Sequence, residues 1–256
     1  MARARSKRHR QEREEYMLKE QKKVDQGIFD TATMVYLGKF FNKGIVSGLG
    51  FIMARGKEAD VYLAKGGGSK AIGGSEEVVL KFFRVEASAF YNMSKYIVGD
   101  PRFSRQIGKS RKFIINTWCK KEFGNLSLAS VAGVRAPRPY MFNGNIIAME
   151  FIGEDGHPAP QLKDVRLTDP DGLLDRIIED MGRLHRARLV HGDVSEYNIL
   201  VKGGTPYMID FGQAVVTRHP GAAEFLARDI RNILSYFSKA YGIEKDYAEV
   251  HGRVTG

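Results

Sequence analysis

Apolar residues first recur at helical spacing near Asp30–Asn42, where Met34, Leu37, Phe40 and Phe41 predict a docking helix. The period then changes to two. Leu49–Met53, Ala59–Ala64 and Glu77–Phe83 read as strands, separated by a loop at Ala54–Glu58 and a glycine-rich turn at Lys65–Ser69. That order is an antiparallel strand–loop–strand–turn–strand unit. Between Ser88 and Lys112 the pattern weakens, which predicts a long mobile segment. Phe113–Ala132 reads as a helix ended by Pro137 and Pro139, and Ile146–Phe151 as a buried strand. Gly153–Pro160, rich in glycine and proline, reads as a hinge between two lobes.

The second half turns helical. Asp169 and Pro170 suit an N-cap and first helical position, and Leu173, Leu174, Ile177, Ile178, Met181 and Leu184 share one face. Short strands at Leu189-Val190 and Ile199–Val201 flank a polar loop. A last helix is predicted from Ala222 to Tyr241, with Gly242 as its C-cap. There is no internal repeat. The expected organisation is a charged arm over 1–25, a helical extension over 26–48, a sheet-bearing lobe over 49–152 and a helical lobe over 153–256.

Composition changes this picture little. The 256 residues are 43% hydrophobic and 27% charged, as in an ordinary globular protein. The single cysteine, Cys119, excludes an intrachain disulfide, fits a reducing cytoplasmic setting and reads as core filler. No apolar run is long enough to span a bilayer, so no membrane is expected. The net charge of +10 favours polyanionic partners such as rRNA or a ribonucleoprotein. Arg3, Arg5, Lys7, Arg8 and Arg10 place part of it in the arm, which reads as a solvated end or as a contact to phosphates.

The candidate chemistry lies in His191-Gly192-Asp193-Val194-Ser195-Glu196-Tyr197-Asn198 and, shortly after, Ile209-Asp210-Phe211-Gly212. Phosphoryl transfer from a nucleotide needs one Asp to orient the attacking hydroxyl or water. It also needs an Asn and a second Asp to hold Mg²⁺. The Asp-four-residues-Asn spacing and the later Asp-Phe-Gly both match that need. Asp193 is the candidate base; Asn198 and Asp210 are the candidate metal ligands. Lys81 lies among Val79, Leu80, Phe82 and Phe83, where an unpaired ammonium would cost several kcal/mol to bury. Glu122 is the one acid in Phe113–Ala132 and so its candidate partner. Arg55–Val61 stands where a nucleotide-covering loop belongs; only Gly56 of a glycine pattern is present, and Lys57 could reach a phosphate.

These motifs resemble the RIO family of atypical serine/threonine protein kinases from about Leu49 to Tyr241. The resemblance rests on Gly56-Lys57-Glu58-Ala59-Asp60-Val61-Tyr62, on the two motifs above extended to Gln213-Ala214, and on Arg228–Ile233. Ser195–Asn198 and Gly212–Val215 look like the Rio-one subfamily. The resemblance implies an α+β, bilobal kinase-like fold with an antiparallel-sheet N-lobe, a mostly helical C-lobe and a reduced activation segment. It implies binding of ATP and Mg²⁺, with Asp193 as base, Asn198 and Asp210 on the metal, and Lys81 on the phosphates with Glu122. Glu150 and Ile152, behind Met149, would offer backbone hydrogen bonds to adenine, and Asp229 would brace the catalytic loop. It also implies a part in small-subunit ribosome maturation, with the pre-ribosomal small subunit or its rRNA as partner.

Two departures from ordinary protein kinases bear on the acceptor. Ser195 stands where they carry a lysine that meets the γ-phosphate, and no Ala-Pro-Glu follows Asp-Phe-Gly. Water or a carboxylate is then the simplest acceptor, alongside a protein substrate or autophosphorylation. Two other readings compete. One is a small-molecule phosphotransferase of the aminoglycoside or choline kinase type, which shares His-Gly-Asp-four-residues-Asn. The other is a nucleotide-gated scaffold on rRNA.

Overall fold

The computed structural model describes residues 30–84, 93, 96–103 and 110–256. The charged arm and much of the Ser88–Lys112 segment lie outside them. Helix α1 (Thr31–Asn42) starts at an Asp30 N-cap, whose Oδ1 accepts from the Thr33 N–H at 2.7 Å. Strands β1 (Val46–Arg55), β2 (Ala59–Gly66) and β3 (Glu77–Phe83) follow, then helix α2 (Arg111–Val131), β4 (Pro139–Asn143) and β5 (Ile146–Glu150). The sheet is antiparallel in the order β1-β2-β3-β5-β4, so β3 is its central strand. The small β6 (Gly153–Glu154) and β7 (His157–Pro158) pair as a hairpin where a hinge was expected.

Period two decides how this sheet is used. Val78, Leu80 and Phe82 face one way and form a core with Leu37 and Phe40 of α1. Val79, Lys81 and Phe83 therefore face the other way, towards α2. The N-terminal helix is thus part of the sheet's core, and β1 begins at Val46, ahead of the boundary expected at 49.

Helix α3 (Pro170–Arg186) has the anticipated Asp169 cap and Pro170 start, and its six apolar residues are all buried. Strands β8 (Leu189–Val190), β9 (Ile199–Lys202), β10 (Thr205–Met208) and β11 (Val215–Val216) form two short ladders, β9 with β10 and β8 with β11. Helix α4 (Ala222–Tyr241) closes on Gly242 in the left-handed conformation. A further helix, α5 (Tyr247–Thr255), packs against α3 and α4 through Val250 and Val254. One core joins α2, α3, α4 and the ladders.

The expected mobility of Ser88–Lys112 does not describe the part of it seen here. Met93, Tyr96, Ile97 and Phe103 are buried, and Tyr96 packs on Trp118 of α2 and Phe225 of α4. Asp100 is buried and held by Arg102 at 2.7 Å. Arg111 and Lys112 open α2. Long-range aromatic packing supplies what the local pattern lacked.

Candidate active site

Lys81 stands on the central strand, paired in register with Val61 and Ile147, and not on an edge. Its Nζ donates to Glu122 Oε1 and Oε2 at 2.7 and 3.0 Å and to Asp210 Oδ1 at 3.0 Å. Burial opposes the ammonium, but the charges of Asp210 and Glu122 prevail and raise its pKa. Burial pushes Glu122 up to about 7, with Lys81 as the main opposing influence. Asp210 is lowered, chiefly by Lys81, and its side chain remains 49% exposed. The carboxylate is therefore charged and open to a ligand.

Asp210 has φ of 65°, a left-handed conformation unusual for a residue with a Cβ. Such conformations persist where the surroundings over-determine them, often at functional sites. The next residues supply that constraint. Lys121 Nζ donates to the Gly212 and Ala214 carbonyls at 2.8 and 2.5 Å, and Asn125 Nδ2 to those of Phe211 and Ala214 at 2.9 and 2.7 Å. A Cβ on Gly212 would come 2.9 Å from the Trp118 ring, so the turn is packed tightly on α2. Burial lowers the Lys121 pKa to about 7.

The loop from β8 to β9 carries Asp193 and Asn198. Asn198 Nδ2 donates to the Asp193 carbonyl at 2.8 Å and to its Oδ2 at 2.9 Å, and Gln213 Nε2 donates to the same Oδ2 at 3.0 Å. These two amides fix the plane of the Asp193 carboxylate. Asp229, buried on α4, accepts from the Gly192 and Val194 N–H groups at 2.7 and 3.0 Å. Burial raises Asp229 to about 7 despite those bonds. Arg228 donates to the Gly192 carbonyl, so α4 holds the loop by adjacent residues. His191 bonds the Ile209 carbonyl at 3.2 Å and meets Phe211 edge to face; burial lowers it to about 4.

Other expected residues fall around this centre. Lys57 is exposed on the loop after β1. Its neighbour Glu58 is raised by burial and then by the charge of Asp210, so Glu58 is the acid of that loop that senses the site. The Glu150 N–H donates to the Arg138 carbonyl at 2.8 Å, and the Ile152 carbonyl accepts from Ala159 at 2.9 Å. Any adenine contact there falls to the Glu150 carbonyl and the Ile152 N–H. Sequence reasoning did not single out Lys121 or Asn125, and it named Glu58 and Gln213 only as members of the motifs that carry the resemblance. Trp118, Lys121 and Asn125 recur at i, i+3 and i+7, a face whose polar members broke its apolar signal.

Asn198 has its amide nitrogen on Asp193, and the Ile209 N–H donates to its main-chain carbonyl at 3.0 Å, which sets Asn198 close in the fold to Asp210; an amide oxygen and an open carboxylate are both hard oxygen donors. Among the described residues no group of three or more His, Cys, Asp or Glu could hold a metal. Mg²⁺ typically takes one or two carboxylates and completes its shell with water and phosphate oxygens, and Asp210 offers one such carboxylate. The donor set fits the ion.

A five-stranded sheet over a helical layer, with Lys–Glu, Asp–Asn and a second Asp meeting between them, defines a kinase-like phosphotransferase. Residues 60–250 match the RIO domain, and the chain belongs to the RIO family. It is 40% identical over 237 residues to the RIO-type serine/threonine-protein kinase Rio1 of Haloferax volcanii, covering 93% of this chain and 79% of that one. It is 36% identical to human serine/threonine-protein kinase RIO1 over 83% of this chain and 37% of that one. Among solved structures, the Rio2 kinase of Chaetomium thermophilum in its ADP/Mg²⁺-phosphoaspartate complex superposes with a TM-score of 0.64 at 22% identity, over 86% of this chain and 65% of that one. The antiparallel-sheet N-lobe and helical C-lobe expected of the family are thus present. No helix among the described residues is long and apolar enough to cross a membrane.

Proposed function

We propose that this RIO-type serine/threonine-protein kinase binds ATP with Mg²⁺ and moves the γ-phosphoryl group slowly, to water, to its own side chains or to a protein hydroxyl. The observation that carries the reading is the joint placement of Asp193, Asn198, Lys81 and Asp210. Lys81, held by Glu122, meets the phosphates; the Glu150 carbonyl and the Ile152 N–H meet adenine; Lys57 reaches the phosphates from the covering loop. Mg²⁺ held by Asn198 and Asp210 would neutralise phosphate charge.

Asp193 orients the attacking hydroxyl or water and takes its proton. Asn198 and Gln213 hold that carboxylate in one plane, and Asp229 holds the loop beneath it. Helix α4 begins at Ala222, soon after Gly212, leaving little chain for a peptide-docking segment. A carboxylate acceptor then becomes competitive. An Asp210 oxygen would form the new bond to phosphorus as the bond to the β-phosphate oxygen breaks and ADP leaves. The Chaetomium relative described as a phosphoaspartate complex supports this. The net charge of +10 and the family favour a role on the small ribosomal subunit in the cytoplasm, with rRNA phosphates as contacts. A small-molecule phosphotransferase is less well supported, since the described residues after β7 hold no large substrate-binding insert.

The test uses γ-labelled ATP followed by hydroxylamine. An aspartyl phosphate at Asp210 loses its label. If all protein-bound label survives and maps to Ser or Thr, Asp210 is not the acceptor.

A further inference from the structure

Lys121 is a fully buried lysine with no carboxylate partner among the described residues. Among the described residues, the charged groups that act on it are Asp100, Arg102 and Glu122. Asp100 is taken by Arg102 at 2.7 Å, and Glu122 by Lys81 at 2.7 Å. The Lys121 ammonium spends its donors on two backbone carbonyls instead, and the Asn125 amide, one helical turn on, spends its donors on two more contacts to the same segment. Such carbonyls, buried in a turn that has left the ladder, need donors from somewhere. A hydrophobic side chain would fill the volume without the desolvation cost of a charge. The charge is therefore better explained by what it holds than by packing. It holds Phe211–Ala214, the residues directly after Asp210.

We propose that Lys121, aided by Asn125, is a positioning residue for Asp210. By gripping the carbonyls of Phe211, Gly212 and Ala214, the pair keeps Asp210 in its left-handed backbone conformation with its carboxylate turned to Lys81 and to Mg²⁺. Helix α2 then acts at both ends of the same turn: Glu122 reaches Asp210 through Lys81, and Lys121 reaches it through the main chain. This rests on the reading of Asp210 as a metal ligand. Its consequence is specific: loosening the turn weakens the response to Mg²⁺ more than the binding of the nucleotide itself.

The experiment is ADP binding by calorimetry at stepped Mg²⁺, with Trp118 emission read in parallel. Trp118 is the only tryptophan, its ring packs against Gly212, and it lies 5.2 Å from Lys121 Nζ. In Lys121→Met the Mg²⁺ midpoint rises at least tenfold, while ADP affinity without Mg²⁺ stays within twofold. Asn125→Leu, which also removes a buried acceptor lacking a partner, moves the midpoint the same way by about threefold. Asp210→Asn is the control, and its Mg²⁺ response should vanish. If Asp210→Asn loses that response while Lys121→Met and Asn125→Leu bind Mg²⁺ as the parent does, the positioning role is overturned and the metal site stands. If Asp210→Asn keeps the response, the metal reading itself fails. Loss of cooperative unfolding in both α2 variants makes the pair structural and also overturns the proposal.

Discussion

Lys81 Nζ and Asp210 Oδ1 lie 3.0 Å apart although 129 positions separate them in sequence. One comes from the central strand of the sheet and the other from the turn after β10. Their ion pair, with Glu122 behind it, ties the sheet to the turn after β10.

Replacing Lys81 with Met should weaken ATP binding in Mg²⁺ by roughly 1.5–3 kcal/mol, the scale of a charge-assisted hydrogen bond. Calorimetry should read this as a loss between about tenfold and a hundredfold. An affinity within twofold of the parent would remove Lys81 from the nucleotide site.

Asp229→Ala leaves the Gly192 and Val194 N–H groups without their acceptor. Each buried orphan costs about 1–3 kcal/mol. Urea unfolding should show that loss, and hydrogen exchange at these two amides should accelerate. Parent-like exchange at Gly192 and Val194 would contradict the bracing role.

The elements legible in the sequence were those with a local cause. The apolar stripe of α3, the Asp169 cap, the Gly242 stop and the alternation of β3 follow from neighbours a few residues apart. The motif around Asp193 was legible for the same reason, as its spacing carries its chemistry. Strand β4 was hidden because Pro139 opens it and reads as a breaker; at the first position of an edge strand proline forfeits no ladder bond. Helix α5 is nine residues long with only Val250 and Val254 buried, too short for a repeating apolar signal, and is held by α3 and α4. The contacts of Lys121 and Gln213 were not legible, since nothing local shows that their partners lie some twenty to ninety positions away. Tyr96 and Asp100 were read as part of a loose segment for the same reason.

Gly212→Ala should destabilise the protein by about 1–3 kcal/mol, the usual scale of overpacking. Its Cβ would meet Trp118 at 2.9 Å and Glu122 Oε2 at 3.1 Å. A shift in Trp118 emission should accompany the loss. A variant with parent-like stability and emission would show that this turn yields more easily than its packing implies.

His191 sets an acid limit. Its folded pKa of about 4 lies below the ordinary 6.5, so the folded state binds fewer protons in that window. Its contribution is full above pH 6.5 and is lost as pH falls towards 4, by at most about 3 kcal/mol. Asp229, raised to about 7, works in the opposite sense, contributing most at low pH and losing its contribution as pH rises towards 7. The difference between parent and His191→Gln isolates the histidine. That difference should shrink from pH 6.5 to 4 in denaturant midpoints; a constant difference would mean that His191 does not titrate there.

The central claim is that Asp193 and Asp210 together carry phosphoryl transfer from ATP. The most direct measurement is release and protein incorporation of label from γ-labelled ATP with Mg²⁺, for the parent, Asp193→Asn and Asp210→Asn. The parent should turn over slowly, and each variant should fall at least a hundredfold in both products while keeping its cooperative unfolding. Parent-like turnover in either folded variant would contradict the account.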